Sequence, residues 1–209
     1  MRRLLLILIL LGCTKEYRVS FSGDPEEDYK KAMELYEKKD YKHARKLFED
    51  FFNVYPGSKY TDDAQFYLAE CYFREKDYES ALMEYEFLLE NFPESRHREE
   101  AYFRRAVCLE KLSPGEDRDQ AKTKEAISAY EEFMTRFPYS KYVKDAQEGI
   151  KRLRKKLLHK KLTIAKLYLK WNRPESAVIY AKSVLGSPYI EDYPDLKEEA
   201  TRIIEQAKK

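Results

Sequence analysis

An all-α solenoid of helix-turn-helix repeats is the fold this sequence predicts. Three observations predict it: prolines that return in matching phrases, alanines at fixed distances from each proline, and apolar residues spaced as on one face of a helix. Pro56 and Pro93 stand 37 residues apart and Pro138 follows after a further 45. The phrases around them read Val54-Tyr55-Pro56-Gly57-Ser58, Asn91-Phe92-Pro93-Glu94-Ser95 and Arg136-Phe137-Pro138-Tyr139-Ser140. Self-similarity at such a period marks an array of supersecondary units, none of which buries its apolar face alone.

The elements follow in order. Residues 1–13 begin with a basic Met-Arg-Arg, run through eight apolar residues at 4–11, and close on Gly12-Cys13. Eight residues span about 12 Å as a helix, too short for a hydrocarbon core of about 30 Å, so the segment reads as a secretory leader, not a lasting span. The first repeat opens at Asp24-Pro25-Glu26-Glu27, which offers an N-cap, a proline at the first helical position and a capping-box Glu27. Ala44, Ala81 and Ala126 each lie twelve residues before a proline, and Ala64, Ala101 and Ala146 each lie eight after one. Ala32 and Ala69 stand twelve before Ala44 and Ala81, which places two small residues where the helices of one unit must approach closely. The phrases Lys38-Lys39-Asp40-Tyr41 and Glu75-Lys76-Asp77-Tyr78 form the turns between those helices, and each proline stops the second helix because it lacks an N–H donor. Leu47, Phe48, Phe51, Phe52 and Tyr55 supply the helical apolar spacing of the first unit. In the third unit Ala106 and Ala126 are twenty apart, so eight residues are inserted, at the turn-rich segment 113–119. Ala165 and Ala177 restore the spacing of twelve for a fourth unit, and residues 196–209 form a capping helix.

Composition excludes several functions. The chain carries 40 basic and 38 acidic residues, and loss of Arg2 and Arg3 with a leader leaves 38 of each. A neutral chain lacks the positive excess expected of a nucleic-acid binder. No nucleophile elbow, phosphate loop or zinc-helix motif occurs. His43, His97 and His159 are isolated among charged residues, and the many carboxylates read as solvated, ion-paired helix faces, so no catalysis and no cofactor or metal is expected. Cys71 and Cys108 occupy the same position of successive repeats, which reads as two buried free thiols and not as a disulfide.

The alanine positions, the Tyr41/Ala44 and Tyr78/Ala81 pairs and the closing prolines resemble the tetratricopeptide repeat. Leu10-Leu11-Gly12-Cys13 resembles the bacterial lipobox, which implies cleavage before Cys13 and acylation of Cys13. A lipobox, a short tether, repeats with Tyr-Pro-x-Ser or Phe-Pro-x-Ser phrases, and the insert Asp117-Arg118-Asp119-Gln120 ahead of Ala126 together resemble the BamD (YfiO, ComL) family. That resemblance implies a lipoprotein of the outer-membrane β-barrel assembly machinery. It would comprise a signal peptide at 1–12, a lipidated tether at 13–23, repeats 1–3 at 24–140, and repeat 4 with the capping helix at 141–209. It implies a periplasm-facing position, with an Omp85-type barrel insertase, unfolded outer-membrane proteins and other lipoproteins of the machine as partners. Thr14 after Cys13 agrees with transport to the outer membrane. The runner-up is a repeat lipoprotein of another envelope system, such as a Tol–Pal coordinator or a secretin pilotin.

Two groups of residues are candidates for binding. Tyr29, Tyr36, Phe66, Phe73 and Phe103 fall on the first helices of the early repeats, as anchors of a peptide groove or as core. The segment 151–170 holds nine Lys or Arg and no acid, a basic stripe including Lys151, Arg152, Arg154, Lys155, Lys156, Lys166 and Lys170. It reads as a dock for an acidic partner, or as a solvated face balanced by Glu175, Glu191, Asp192 or Glu198. Where the family places an arginine that pairs with the barrel protein, this chain reads Tyr180-Ala181-Lys182, and the resemblance points to Lys182.

Overall fold

The computed structural model describes residues 20–208; the leader, Cys13 and most of the tether lie outside them. Among the described residues there are nine α-helices and no strand: α1 Pro25–Glu37, α2 Tyr41–Val54, α3 Thr61–Arg74, α4 Tyr78–Asn91, α5 Arg98–Leu112, α6 Ala121–Arg136, α7 Val143–Lys170, α8 Pro174–Leu185 and α9 Pro194–Gln206. A single 3-10 turn, Ile190–Asp192, precedes α9. Helices pack chiefly on their neighbours in the chain, with further contacts of α7 to α5 and α9. That is the nearest-neighbour pattern of a tetratricopeptide-type solenoid.

The alanine lattice explains the approach of the helices. Ala32, Ala44, Ala69, Ala81, Ala101, Ala106, Ala126, Ala146, Ala165 and Ala177 are all fully buried. The turns between paired helices have a shared chemistry. Lys39, Lys76 and Asn172 adopt left-handed backbone, with φ of 63°, 65° and 56°. The amide of each donates back to Tyr36, Phe73 or Leu169, and the next amide donates to Leu35, Tyr72 or Tyr168, which closes the last helical turn. The residue after each lysine then starts the next helix: Asp40 accepts from the His43 amide at 3.4 Å and Asp77 from the Ser80 amide at 3.1 Å.

At the start of α1 Asp24 accepts from the Glu26 amide, but the expected capping box is not closed by Glu27. The Asp24 amide donates to Ser22 Oγ instead, at 3.1 Å. The insert is not a bare loop either. Gln120 is buried and donates to the Gly115 and Arg118 carbonyls at 2.8 and 3.0 Å, while its own oxygen accepts from Thr123 at 2.8 Å.

The core forms three clusters. One joins α1–α3 around Phe48 and Phe51, a second joins α3–α7 around Tyr85, Tyr130 and Phe133, and a third joins α7–α9 around Leu162 and Val184. The last two divide within α7, between Leu153 and Leu158. Gly149 lies in the first half of α7, where an added Cβ would stand 2.7 Å from the Tyr130 ring, so only glycine lets α6 and α7 meet there. Cys71 and Cys108 are buried free thiols. Phe52 departs from the expected core: it is 43% exposed, at the outer side of the last turn of α2.

Candidate partner-binding surfaces

The five aromatic candidates separate by depth. Phe66 and Phe103 are only 4% and 8% exposed, so they build the core and offer no groove surface. Phe66 stacks on His97 at 4.1 Å, and Phe103 stacks on Tyr142 at 4.6 Å. Each ring thus faces the next unit of the stack. Tyr29, Tyr36 and Phe73 are half-buried. Tyr29 stacks on Tyr60 at 4.9 Å, Tyr36 meets Tyr41 and Tyr67 edge-on, and Phe73 carries the Arg104 guanidinium 5.1 Å above its ring.

The sequence reading also misplaced some polar groups. Asp28, Asp63 and Glu70 are buried, not solvated. Glu70 accepts from the Tyr85 hydroxyl at 2.5 Å, from Tyr36 at 3.3 Å and from Arg74 at 3.3 Å, and Arg104 Nε stands 2.9 Å away. Burial, with the Glu70 charge beside them, pushes the Tyr36 and Tyr85 hydroxyls above their ordinary range, so both remain donors at neutral pH. His97 is not a surface residue: its ring lies under Phe66 with Nε2 2.8 Å from Asp63 Oδ1. Among the described residues no group of three or more His, Cys, Asp or Glu side chains is placed to hold a metal. The carboxylates of these clusters take their donors from the same chain.

The basic stripe of α7 is largely occupied by its own chain, though not by the acids the sequence nominated. Arg152 forks onto Glu110 at 2.9 and 3.1 Å. Arg154 pairs with Glu131 at 2.8 Å and lies 3.6 Å over the Tyr189 ring. Lys155 meets Asp195 at 2.8 Å and Lys166 meets Glu199. Lys156 donates to Ser113 Oγ at 2.8 Å, Lys160 to the Arg118 carbonyl, and His159 lies 2.6 Å from Glu116. The middle of α7 therefore holds the insert in place. Lys151, Lys170 and Lys182 are exposed, and among the described residues none of their side chains meets a carboxylate within ion-pair distance.

Two surfaces remain for a partner. A cleft of ≈ 570 Å³ opens between the insert, α6, α7 and the segment after α8, with Ile127, Leu157 and Ile164 among its apolar walls and Lys124 and Lys161 among its charged ones. The second is the tip of the α7–α8 hairpin. Trp171 is 57% exposed and sits edge-on to Tyr168, which stacks on Tyr180 at 5.5 Å. Leu167 and Ile179 are exposed on the same two helices, and Lys170 and Lys182 belong to them as well. Trp171 had no signal in the repeat pattern; its being the chain's sole tryptophan, next to an Asn that closes a turn, was the one available cue. Ala181 is fully buried, so a contact in this region falls to its neighbours.

A comparison with curated proteins finds no match. Among solved structures the chain is similar to residues 41-end of MamA from Desulfovibrio magneticus RS-1, at 15% identity over 82% of this chain and 77% of that one, with a TM-score of 0.46. It is also similar to TTC0263, a thermophilic TPR protein of Thermus thermophilus, at 17% identity over 87% of this chain and 99% of that one, with a TM-score of 0.46. The family model described as YfiO, outer membrane lipoprotein, matches residues 22–209. That match runs from Ser22 through every helix of the solenoid, and the chain belongs to the YfiO (BamD) family of outer membrane lipoproteins.

Proposed function

We propose that this chain is a non-catalytic, periplasm-facing scaffold of outer-membrane protein assembly, acylated at Cys13 after removal of residues 1–12. Repeats 1–3 (24–140) present half-buried Tyr29, Tyr36 and Phe73 to unfolded outer-membrane proteins. The region 141–209 braces an Omp85-type barrel insertase. The observation that carries this reading is the α7–α8 hairpin of an outer-membrane-lipoprotein family member, where exposed Trp171 follows Lys170 at the turn and exposed Ile179 and Lys182 lie further along α8, both lysines having no carboxylate of their own among the described residues. Tryptophan is among the residues most enriched in protein-binding hot spots, and a free cation adds attraction to an acidic partner surface.

The test is capture on this protein from detergent-solubilised native membranes, followed by mass spectrometry. Recovery of an Omp85-type barrel protein, lost with Trp171→Ala combined with Lys182→Glu, is the expected result. Recovery of a secretin or of Tol–Pal components in its place would overturn the assembly role while leaving the family assignment intact.

A further inference from the structure

The tether is locked to the first repeat before it reaches α1. Asp28, buried on α1, accepts from the Ser22 amide at 2.9 Å and from the Tyr55 hydroxyl, and Tyr55 in turn accepts from the Gly23 amide at 3.1 Å. Phe21 closes edge-on against Tyr55 at 5.8 Å. Gly23, at φ of +93°, takes a backbone shape that a side chain would oppose. Tyr55 is the residue that ends α2, so the chain enters the solenoid at the edge where the proline turns lie.

From Cys13 to Phe21 is eight residues, at most about 28 Å when fully extended. The first helix pair is about 21 Å tall, the length of the 14-residue α2. An acylated Cys13 therefore keeps the proline edge of the first repeat within roughly its own height of the bilayer. That edge is where exposed apolar side chains collect. Of the nine large apolar side chains exposed among the described residues, Phe52, Val54, Phe87 and Tyr139 stand in or beside the three successive proline turns of this edge. Tyr139 is 100% exposed. Phe52 and Phe87 meet across the first two repeats at 6.1 Å, and Phe87 meets Phe92 at 6.3 Å. Lys59 and Lys141, each lying 4.8 Å over a neighbouring tyrosine ring, place cations in the same turns. The opposite turns, at Lys38-Lys39-Asp40 and Glu75-Lys76-Asp77, are wholly charged.

We propose that Phe52, Val54 and Phe87 form a second, non-covalent membrane contact, resting on the lipid surface that holds the anchor and fixing the angle at which the solenoid leaves it. The reading rests on acylation of Cys13. Exposed aromatics flanked by lysines are the composition of the membrane–water interface, and burial of two phenyl groups beside a diacyl anchor adds a contact that the anchor alone does not orient.

The test uses the full-length protein isolated from membranes and reconstituted in phospholipid vesicles that contain brominated phosphatidylcholine. Trp171→Phe removes the native fluorophore, and Phe52→Trp or Phe87→Trp supplies a reporter at each position. Both reporters should lose about twofold or more of their emission on brominated vesicles, while Trp171 in the otherwise native chain keeps its own. Reporters as bright as Trp171, in acylated protein that floats with the vesicles, overturn the contact and leave the anchor standing. Reporters shielded from acrylamide but not quenched by bromine mean that a second copy or another protein covers the face, which also overturns it. Protein recovered without acyl chains, and not floating, removes the anchor and this contact with it.

Discussion

Glu70 is held at 3% exposure, so its two oxygens must find donors within the protein or leave a charge stranded out of water. Those donors arrive from three other helices as well as its own: Tyr36 on α1, Tyr85 on α4, Arg104 on α5 and Arg74 one turn along α3. Removing the carboxylate leaves half-buried Arg104 with only Glu100, at 3.1 Å, and strips the buried Tyr85 hydroxyl of its acceptor, and leaving a buried donor unsatisfied costs about 1–3 kcal/mol. Glu70→Ala is expected to lower the urea midpoint accordingly, far more than Glu75→Ala on the exposed end of the same helix; equal midpoints would mean that the cluster is solvated. Nothing in the sequence separates Glu70 from Glu75. Burial is decided by partners 15 and 34 residues away, and local spacing does not see them. The thiols carry a second prediction. Burial pushes Cys108 up to about 12 from an ordinary 9.0, and moves Cys71 in the same direction. Below pH 9 folded and unfolded chains both hold the proton; between about 9 and 12 only the folded chain does. Stability therefore falls as pH rises through that window, by about 1.4 kcal/mol per pH unit for each such thiol. Equilibrium unfolding at pH 8, 9 and 10 should show the decline beginning near 9, and Cys108→Ala should make it shallower.

Helices, unlike buried charges, announce themselves locally. Proline phrases, paired alanines and the Lys-Asp turns are read within a dozen residues, and each of the helix pairs they mark is present. What the pattern could not supply was the side of the helix that matters: Phe66 and Phe103 share the register of Tyr36 and Phe73 closely enough to be grouped with them, yet packing by His97 and Tyr142 seals them in. The partners of the α7 cations were equally hidden, because Glu110 and Glu131 lie on earlier elements. The Lys-Asp turns hold one reserve of stability. Lys39 and Lys76 sit in left-handed backbone that costs a side-chain-bearing residue about 1 kcal/mol and costs glycine nothing sterically. Each is exposed. Lys39→Gly and Lys76→Gly should each raise the melting temperature, the gain reduced by the extra freedom glycine gives the unfolded chain. A lower melting temperature for both would mean that the lysines make contacts worth more than the strain.

At the scale of the whole molecule the stack behaves as a series of local partnerships. Helices rest on chain neighbours, and the second and third core clusters share α7 without sharing side chains, Leu153 ending one and Leu158 beginning the other. Between them run Arg154, Lys155 and Lys156, which tie α7 outward to Glu131, Asp195 and Ser113. In such an array stability is a sum of unit and interface contributions, and a cavity is felt by its own cluster first. Leu162 is fully buried in the C-terminal cluster and Phe48 nearly so in the N-terminal one. Truncating either to alanine removes about 2–5 kcal/mol of packing. Under native conditions Leu162→Ala should speed amide exchange across α8 and α9, by on the order of 100-fold for a loss near 3 kcal/mol, and leave α1–α3 at their original rates. Phe48→Ala should do the reverse. If both variants accelerate every helix alike, the chain unfolds as one cooperative body. α7 would then couple the two ends of the scaffold rigidly, and a partner seated at Trp171 would be felt at the tether through 28 residues of unbroken helix. If the two variants separate, the C-terminal hairpin can loosen or tighten on its partner while the first repeats keep their hold on the tether.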